Sequence, residues 1–121
     1  MGGFESLSSV ELRRIWDGVH ARVVHGERVT YSVVELDANS VVPEHSHEPE
    51  QLGMCLAGSL QFRIAEETRD LRPGDIWSIP SNVPHKVHVG PEGAVVIDVF
   101  APTRDDWRDA PAADARAPRW P

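Results

Sequence analysis

Cysteine is almost missing from this chain. Cys55 stands alone among 121 residues, so no disulfide can close within it and a reducing, cytoplasmic setting is expected. Positive charge is scarce too. Twelve Lys and Arg against nineteen Asp and Glu leave a formal net charge of −7, which argues against nucleic acid or an anionic membrane as partners, since either calls for a basic patch. No apolar run approaches the ~20 residues of a membrane-spanning helix, and the N-terminus has neither the basic nor the apolar region of a secretory signal. What is present, 40% hydrophobic residues over 121 positions, is enough for one core and leaves no room for a second domain.

Short β-rich runs separated by turn residues fill the middle of the chain. Residues 19–24, 29–36, 51–57, 60–65, 75–79, 85–89 and 94–100 read as strands, and Asp37-Ala38-Asn39-Ser40, Ala57-Gly58-Ser59, Arg72-Pro73-Gly74-Asp75 and Gly90-Pro91-Glu92-Gly93 supply the bends. This pattern predicts a small all-β sandwich or barrel over residues 19–107. In the arm formed by residues 1–18, Ser8-Ser9-Val10-Glu11 fits a capping box and Leu12, Ile15 and Trp16 recur at helical spacing, predicting a short helix of a turn or two. Residues 108–121 turn to Ala, Pro, Asp and Arg, as in a tail that is either disordered or draped over a neighbouring surface.

His45 and His47 lie two apart, and side chains two apart on an extended chain share a face. Gln51 joins that face if pairing resumes in phase, and His85 follows a later strand and turn. Three imidazoles and one amide oxygen form a donor set for a divalent transition metal, with Ni, Zn, Mn, Co and Fe all compatible. All four donors are neutral. The ion would keep its full charge, favour an anionic small molecule and act as a Lewis acid on oxygen. His88 lies three residues beyond His85, on the opposite face of a strand, and is excluded as a ligand. His20 and His25 have no partner at ligand spacing and read as surface residues. Cys55 shares the parity of Gln51 and reads as a small buried hydrophobe, while the direction of Arg22 and Arg63 stays open.

The last strand holds a carboxylate among apolar residues. Alternation puts Val95, Ile97 and Val99 on one face and Ala94, Val96, Asp98 and Phe100 on the other. Burying an unpaired Asp costs several kcal/mol or raises its pKa, so a position beside a cation suits Asp98 to proton transfer. Phe100 would form an apolar wall of the same cavity.

These segments resemble the cupin family. His45-Ser46-His47 through Gly58 is similar to the first cupin motif, with Gln51 where Glu is usual, and Pro73-Gly74-Asp75 through His85 is similar to the second. Gln at this position, with the ending Asp98-Val99-Phe100-Ala101-Pro102-Thr103-Arg104, resembles the KdgF-like cupins that process unsaturated uronates. The resemblance implies a double-stranded β-helix or jelly-roll-like barrel, a homodimer, a metal on His45, His47, Gln51 and His85, and catalytic roles for Asp98, Phe100 and Arg104. Arg104 would hold a substrate carboxylate through paired hydrogen bonds. The implied activity is isomerisation and ring opening of a 4,5-unsaturated uronate to its linear keto form. Isomerases or cyclases of secondary metabolism, Fe-dependent dioxygenases and non-catalytic small-molecule binders share the same features.

Overall fold

The computed structural model describes residues 2–121, so Met1 of the N-terminal arm lies outside the described residues. Eight strands make an antiparallel all-β fold: β1 (Leu12–Trp16), β2 (Val19–His25), β3 (Thr30–Leu36), β4 (Val41–His45), β5 (Glu50–Ile64), β6 (Glu67–Leu71), β7 (Ile76–Ile79) and β8 (His85–Ala101). Two long strands shape it. The first part of β5 pairs with the second part of β8 and with β7, while β8 pairs onward to β3, β2 and β1. The remainder of β5 pairs with β6 and with the first part of β8, which also pairs with β4. Each long strand thus serves both walls of the barrel, and the core lies between them.

The sequence breaks residues 51–65 and 85–100 at their glycines, but the structure carries the strands through. Register shifts fall at Cys55/Ala57 and Gly58/Leu60, because a bulge can bend a strand without ending it. Gly58 and Gly93 meet at this bend with positive φ of 76° and 78°. A Cβ on Gly58 would run into the Gly93 carbonyl, so bulk is excluded there.

The predicted N-terminal helix shrinks to one 3-10 turn, Leu7–Ser9. Leu12, Ile15 and Trp16 instead belong to β1, where Leu12 pairs with Arg22 and Trp16 with Val19. Pairing with an otherwise open sheet edge outweighs a weak helical period. β4 and β6 were not legible as strands either: β4 carries Pro43 and a register shift, and β6 is largely exposed.

The inner faces supply the core. Val19, Ala21, Val34, Leu36, Val42, Leu60, Phe62, Trp77, Ile79, Val87, Val89, Ala94 and Val96 form one buried cluster, following the two-residue alternation of their strands. Cys55 is buried in this cluster and its thiol is directed at the Ala57 carbonyl.

The C-terminal segment lies along β1 and over the outer side of β2 and β3. Arg14 N–H donates to Pro111 O and Ala113 N–H to Leu12 O. Beneath it, the buried Glu35 carboxylate accepts from Arg22 at 2.9 Å, from Arg116 at 2.9 Å and from the backbone N–H of Arg119 at 2.9 Å. Burial pushes the Glu35 pKa up, but these donors outweigh it and hold the carboxyl below its usual range. Removing one partner of a buried ion pair strands the other, at a cost of about 3–5 kcal/mol. Glu35→Ala is therefore expected to lose about that much stability in a denaturant melt, while a loss under about 1 kcal/mol would contradict the clasp.

Candidate active site

One cavity opens into the barrel. Its lining includes Trp16, His45, Gln51, Phe62, Trp77, His85, Asp98, Phe100, Arg104 and Trp107. The cavity volume is about 50 Å³, room for a few waters, so a larger ligand would send only its reacting end inward.

Ligand atoms of His45, His47 and His85 all lie within 4.8 Å of one another. β4 ends on His45, β8 begins on His85 and the two residues are paired across the strands, while His47 lies in the connection between β4 and β5. Each ring is fixed from behind. Nδ1 of His45 lies 2.8 Å from Pro43 O, that of His47 2.8 Å from Pro49 O and that of His85 2.9 Å from Val83 O. A carbonyl accepts, so the proton belongs on Nδ1 and the Nε2 lone pair is presented inward.

Gln51 completes the ring. Its Nε2–H donates to Asp98 Oδ1 at 2.9 Å, which turns Oε1 toward His47 Nε2 at 3.1 Å. Two lone pairs then face each other without a proton between them. His85 Nε2, moreover, is buried with no hydrogen-bond partner among the described residues. A cation would satisfy both conditions at once, so the donor set fits a divalent transition metal on chemical grounds.

Burial lowers the pKa of His45 and of His47, and Arg104 adds to the shift in each. His85 drops furthest, to about 4, for the same first reason. All three rings thus stay neutral at ordinary pH, as metal ligation requires.

Asp98 lies on the same inner face as Val96 and Phe100 and is 7% exposed. Its Oδ1 accepts from Gln51 Nε2 and from Trp77 Nε1, each at 2.9 Å. No hydrogen bond among the described residues engages Oδ2, which is left for the cavity. Gly53 makes room for this junction: a Cβ there would collide with Trp77 Nε1 and Asp98 Oδ1. Burial raises the Asp98 pKa to about 6, against the opposing pull of Gln51, Trp77 and Arg104.

His85 and Asp98 have opposite effects on stability. The folded chain resists protonating His85 until about pH 4, whereas an unfolded imidazole protonates near 6.5, so stability is lost as pH falls through that window. Asp98 keeps its proton up to about pH 6 when folded, against 3.8 ordinarily, so its contribution is present below that window and lost as pH rises through it. The two offset each other, and His45 and His47 add to the acid-side loss. With chelator present, the wild-type melting temperature should fall from about pH 7 to about pH 4, and Asp98→Asn should make that fall steeper. Parallel curves for the two proteins would contradict a buried, titrating Asp98.

Arg104 is packed into the barrel wall. It is 4% exposed, its backbone N–H donates to Thr30 Oγ1 at 2.9 Å, and its guanidinium lies 4.7 Å from the Phe100 ring centre and 4.2 Å from that of Trp107. Phe100 is buried and meets His47 edge-on at 5.6 Å.

Other candidates fall outside the cavity. His88 is exposed on the opposite face, His25 Nδ1 lies 2.9 Å from Thr30 Oγ1, and Arg63 pairs with Glu44 at the surface. Three tryptophans that line the cavity were not assigned to it from sequence. Trp16 packs 4.9 Å from His45, Trp77 binds Asp98 and Trp107 covers Arg104. Only Trp77 left a signal, since alternation in β7 turns Trp77 and Ile79 inward, and a buried indole N–H requires an acceptor.

Residues 32–100, more than half the chain, match the family model described as Cupin domain. The chain belongs to the cupin family. This cupin is 29% identical over 93 residues to the pectin degradation protein KdgF of Dickeya dadantii (strain 3937), an alignment covering 75% of this chain and 84% of the relative. The solved structure of KdgF from Halomonas sp. superposes with a TM-score of 0.81 at 27% identity, covering 88% of this chain and 98% of the other. An RmlC-like cupin from Shewanella frigidimarina NCIMB 400 superposes with a TM-score of 0.82 at 21% identity, over 88% and 96% of the two chains, a likeness of fold alone. No helix among the described residues is long and apolar enough to cross a membrane.

Proposed function

We propose that this cupin is a metal-dependent enzyme that converts a 4,5-unsaturated uronate into its open-chain keto form. The observation that carries the proposal is Asp98: a buried carboxyl with one oxygen held twice and the other left for the cavity that also holds the histidine triad. Similarity to KdgF proteins, one of them described as a pectin degradation protein, supports the substrate class.

His45, His47, Gln51 and His85 would hold one divalent transition metal. When bound, it supplies Lewis acidity toward a sugar or carboxylate oxygen. Arg104 takes the substrate carboxylate, and Phe100 with Trp107 keeps that wall dry. Asp98 Oδ2 removes the proton of the anomeric hydroxyl as the ring C–O bond breaks, leaving an aldehyde and an enolate with the proton held on Asp98. The same oxygen then gives that proton to C4 as the enolate becomes a ketone. The atoms balance without water or electrons, and a pKa near 6 allows the group to act in both directions near neutral pH.

The proposal includes a homodimer. Tyr31, Leu52 and Ile76 stand exposed on the outer face of the wall formed by β3, β8, β5 and β7, and cross-strand pairing sets Val99 between Tyr31 and Leu52 and joins Ile97 through Met54 to Ile76. Such a patch favours a partner. Sedimentation should return twice the chain mass, and a monomer at micromolar concentration would remove this part.

To test the activity, the metal-loaded protein is mixed with an unsaturated galacturonate while ultraviolet absorbance and dissolved oxygen are followed. Absorbance of the conjugated alkene should decay with oxygen constant. Decay at the uncatalysed rate would overturn the reading, and stoichiometric oxygen uptake would replace it with a dioxygenase.

A further inference from the structure

The guanidinium of Arg104 stands in the barrel wall between two spaces. On one side is the cavity of Asp98 and the histidines. On the other is an outer depression lined by Arg14, Asp106 and Pro111, among others. Asp106 belongs to the outer space alone. Its Oδ1 accepts from Arg104 Nε at 3.0 Å and its Oδ2 from Nη2 at 2.9 Å. This pairing occupies one edge of the guanidinium. Arg carries five N–H donors, so three remain, including the two along the Nη1–Nη2 edge.

We infer that Asp106 is a positioning residue that pins the outer edge of Arg104 and thereby dedicates the Nη1–Nη2 edge to a planar carboxylate in the cavity. Phe100 and Trp107, edge-on to each other with ring centres 5.0 Å apart, pack against the group from adjoining directions but leave it free to turn within its plane. Only an edge contact stops this rotation, and Asp106 supplies one. Asp106 is itself mostly exposed, with a side-chain accessibility of 65%, so it is held in place by the pairing and not by packing. The arginine beside it is buried and cannot rely on water to orient it. A two-point contact on a fixed fork distinguishes a carboxylate from a hydroxyl or a single oxygen anion. The charge of Asp106 works against a second anion, so the sign of its effect is decisive: a positioning role predicts weaker carboxylate binding without it, and a competing role predicts tighter binding.

The inference rests on the assignment of Arg104 to the substrate carboxylate. The test measures binding of D-galacturonate, which has no double bond to react, and of uncharged D-galactose, by calorimetry on metal-loaded wild type, Asp106→Ala and Asp106→Asn. Galacturonate should bind Asp106→Ala about tenfold more weakly, galactose should not distinguish the variants, and Asp106→Asn, which keeps one accepting oxygen, should recover part of the loss. With the unsaturated substrate, the Asp106→Ala effect should fall on KM and not on kcat. Equal or tighter galacturonate binding by Asp106→Ala would overturn the inference, as would a wild type that binds no galacturonate. Wild-type binding without turnover would remove the proposed reaction and leave the positioning role standing.

Discussion

His85→Ala is expected to empty the cavity of metal. Even the partners that merely orient a ligand are worth about 10–100-fold in metal affinity, so loss of the ligand itself should exceed ~100-fold, and protein purified without added metal should carry well under one ion per chain. Turnover should fall with it. In the chelated protein the same substitution should cost only the cavity it leaves and the Nδ1 contact to Val83 O, because His85 Nε2 has no partner in the folded chain. Elemental analysis beside a thermal melt separates these outcomes. Undiminished metal content would show that His85 is a structural histidine, and the donor set would lose its third imidazole.

Asp98→Asn should change activity and stability in opposite directions. A positioned acid or base contributes about 10²–10⁴-fold to rate, and turnover should fall by that order. Metal content should stay at the wild-type level, because the Asn carbonyl can still accept from Gln51 and Trp77, as Asp98 Oδ1 does, and Gln51 keeps its orientation. The chelated variant should be more stable than wild type near neutral pH. Holding a carboxyl pKa near 6 instead of 3.8 corresponds to a penalty on the order of 3 kcal/mol for the buried charge, and the amide avoids it. Initial rates, elemental analysis and denaturant melts on one preparation check all three. A variant with wild-type turnover would end the assignment of Asp98 as the proton carrier.

The two expectations rest on different amounts of sequence information. Two-residue alternation placed Asp98 and Phe100 on one face of β8, and it survives because no bulge interrupts residues 94–101. His45, His47, Gln51 and His85 were grouped by type and spacing, although His47 lies in the connection after β4 and not on a strand. Arg104 was visible only through family resemblance, and its tie to Asp106 was not, since residues two apart in an irregular segment carry no periodic signal. Trp16 was hidden by a different effect. Its helical spacing with Leu12 is real, but β1 forms because β2 offers an unpaired edge, and that edge exists only once the sheet has assembled. The draped C-terminal segment has the same origin. Its anchors, Arg116 and Arg119 on Glu35, are more than 80 residues apart in sequence, and composition alone left draping and disorder equally open.

In the proposed reaction, one buried carboxyl beside the histidine triad delivers a proton to one face of the sugar. Turnover in D2O, followed by proton NMR of the product, tests it most directly. The account predicts one deuteron at C4 in a single configuration for wild type, and no signal above the spontaneous background for Asp98→Asn. An equal mixture of the two configurations from wild type would mean that the enol leaves the protein and becomes a ketone in bulk water, and would contradict the account.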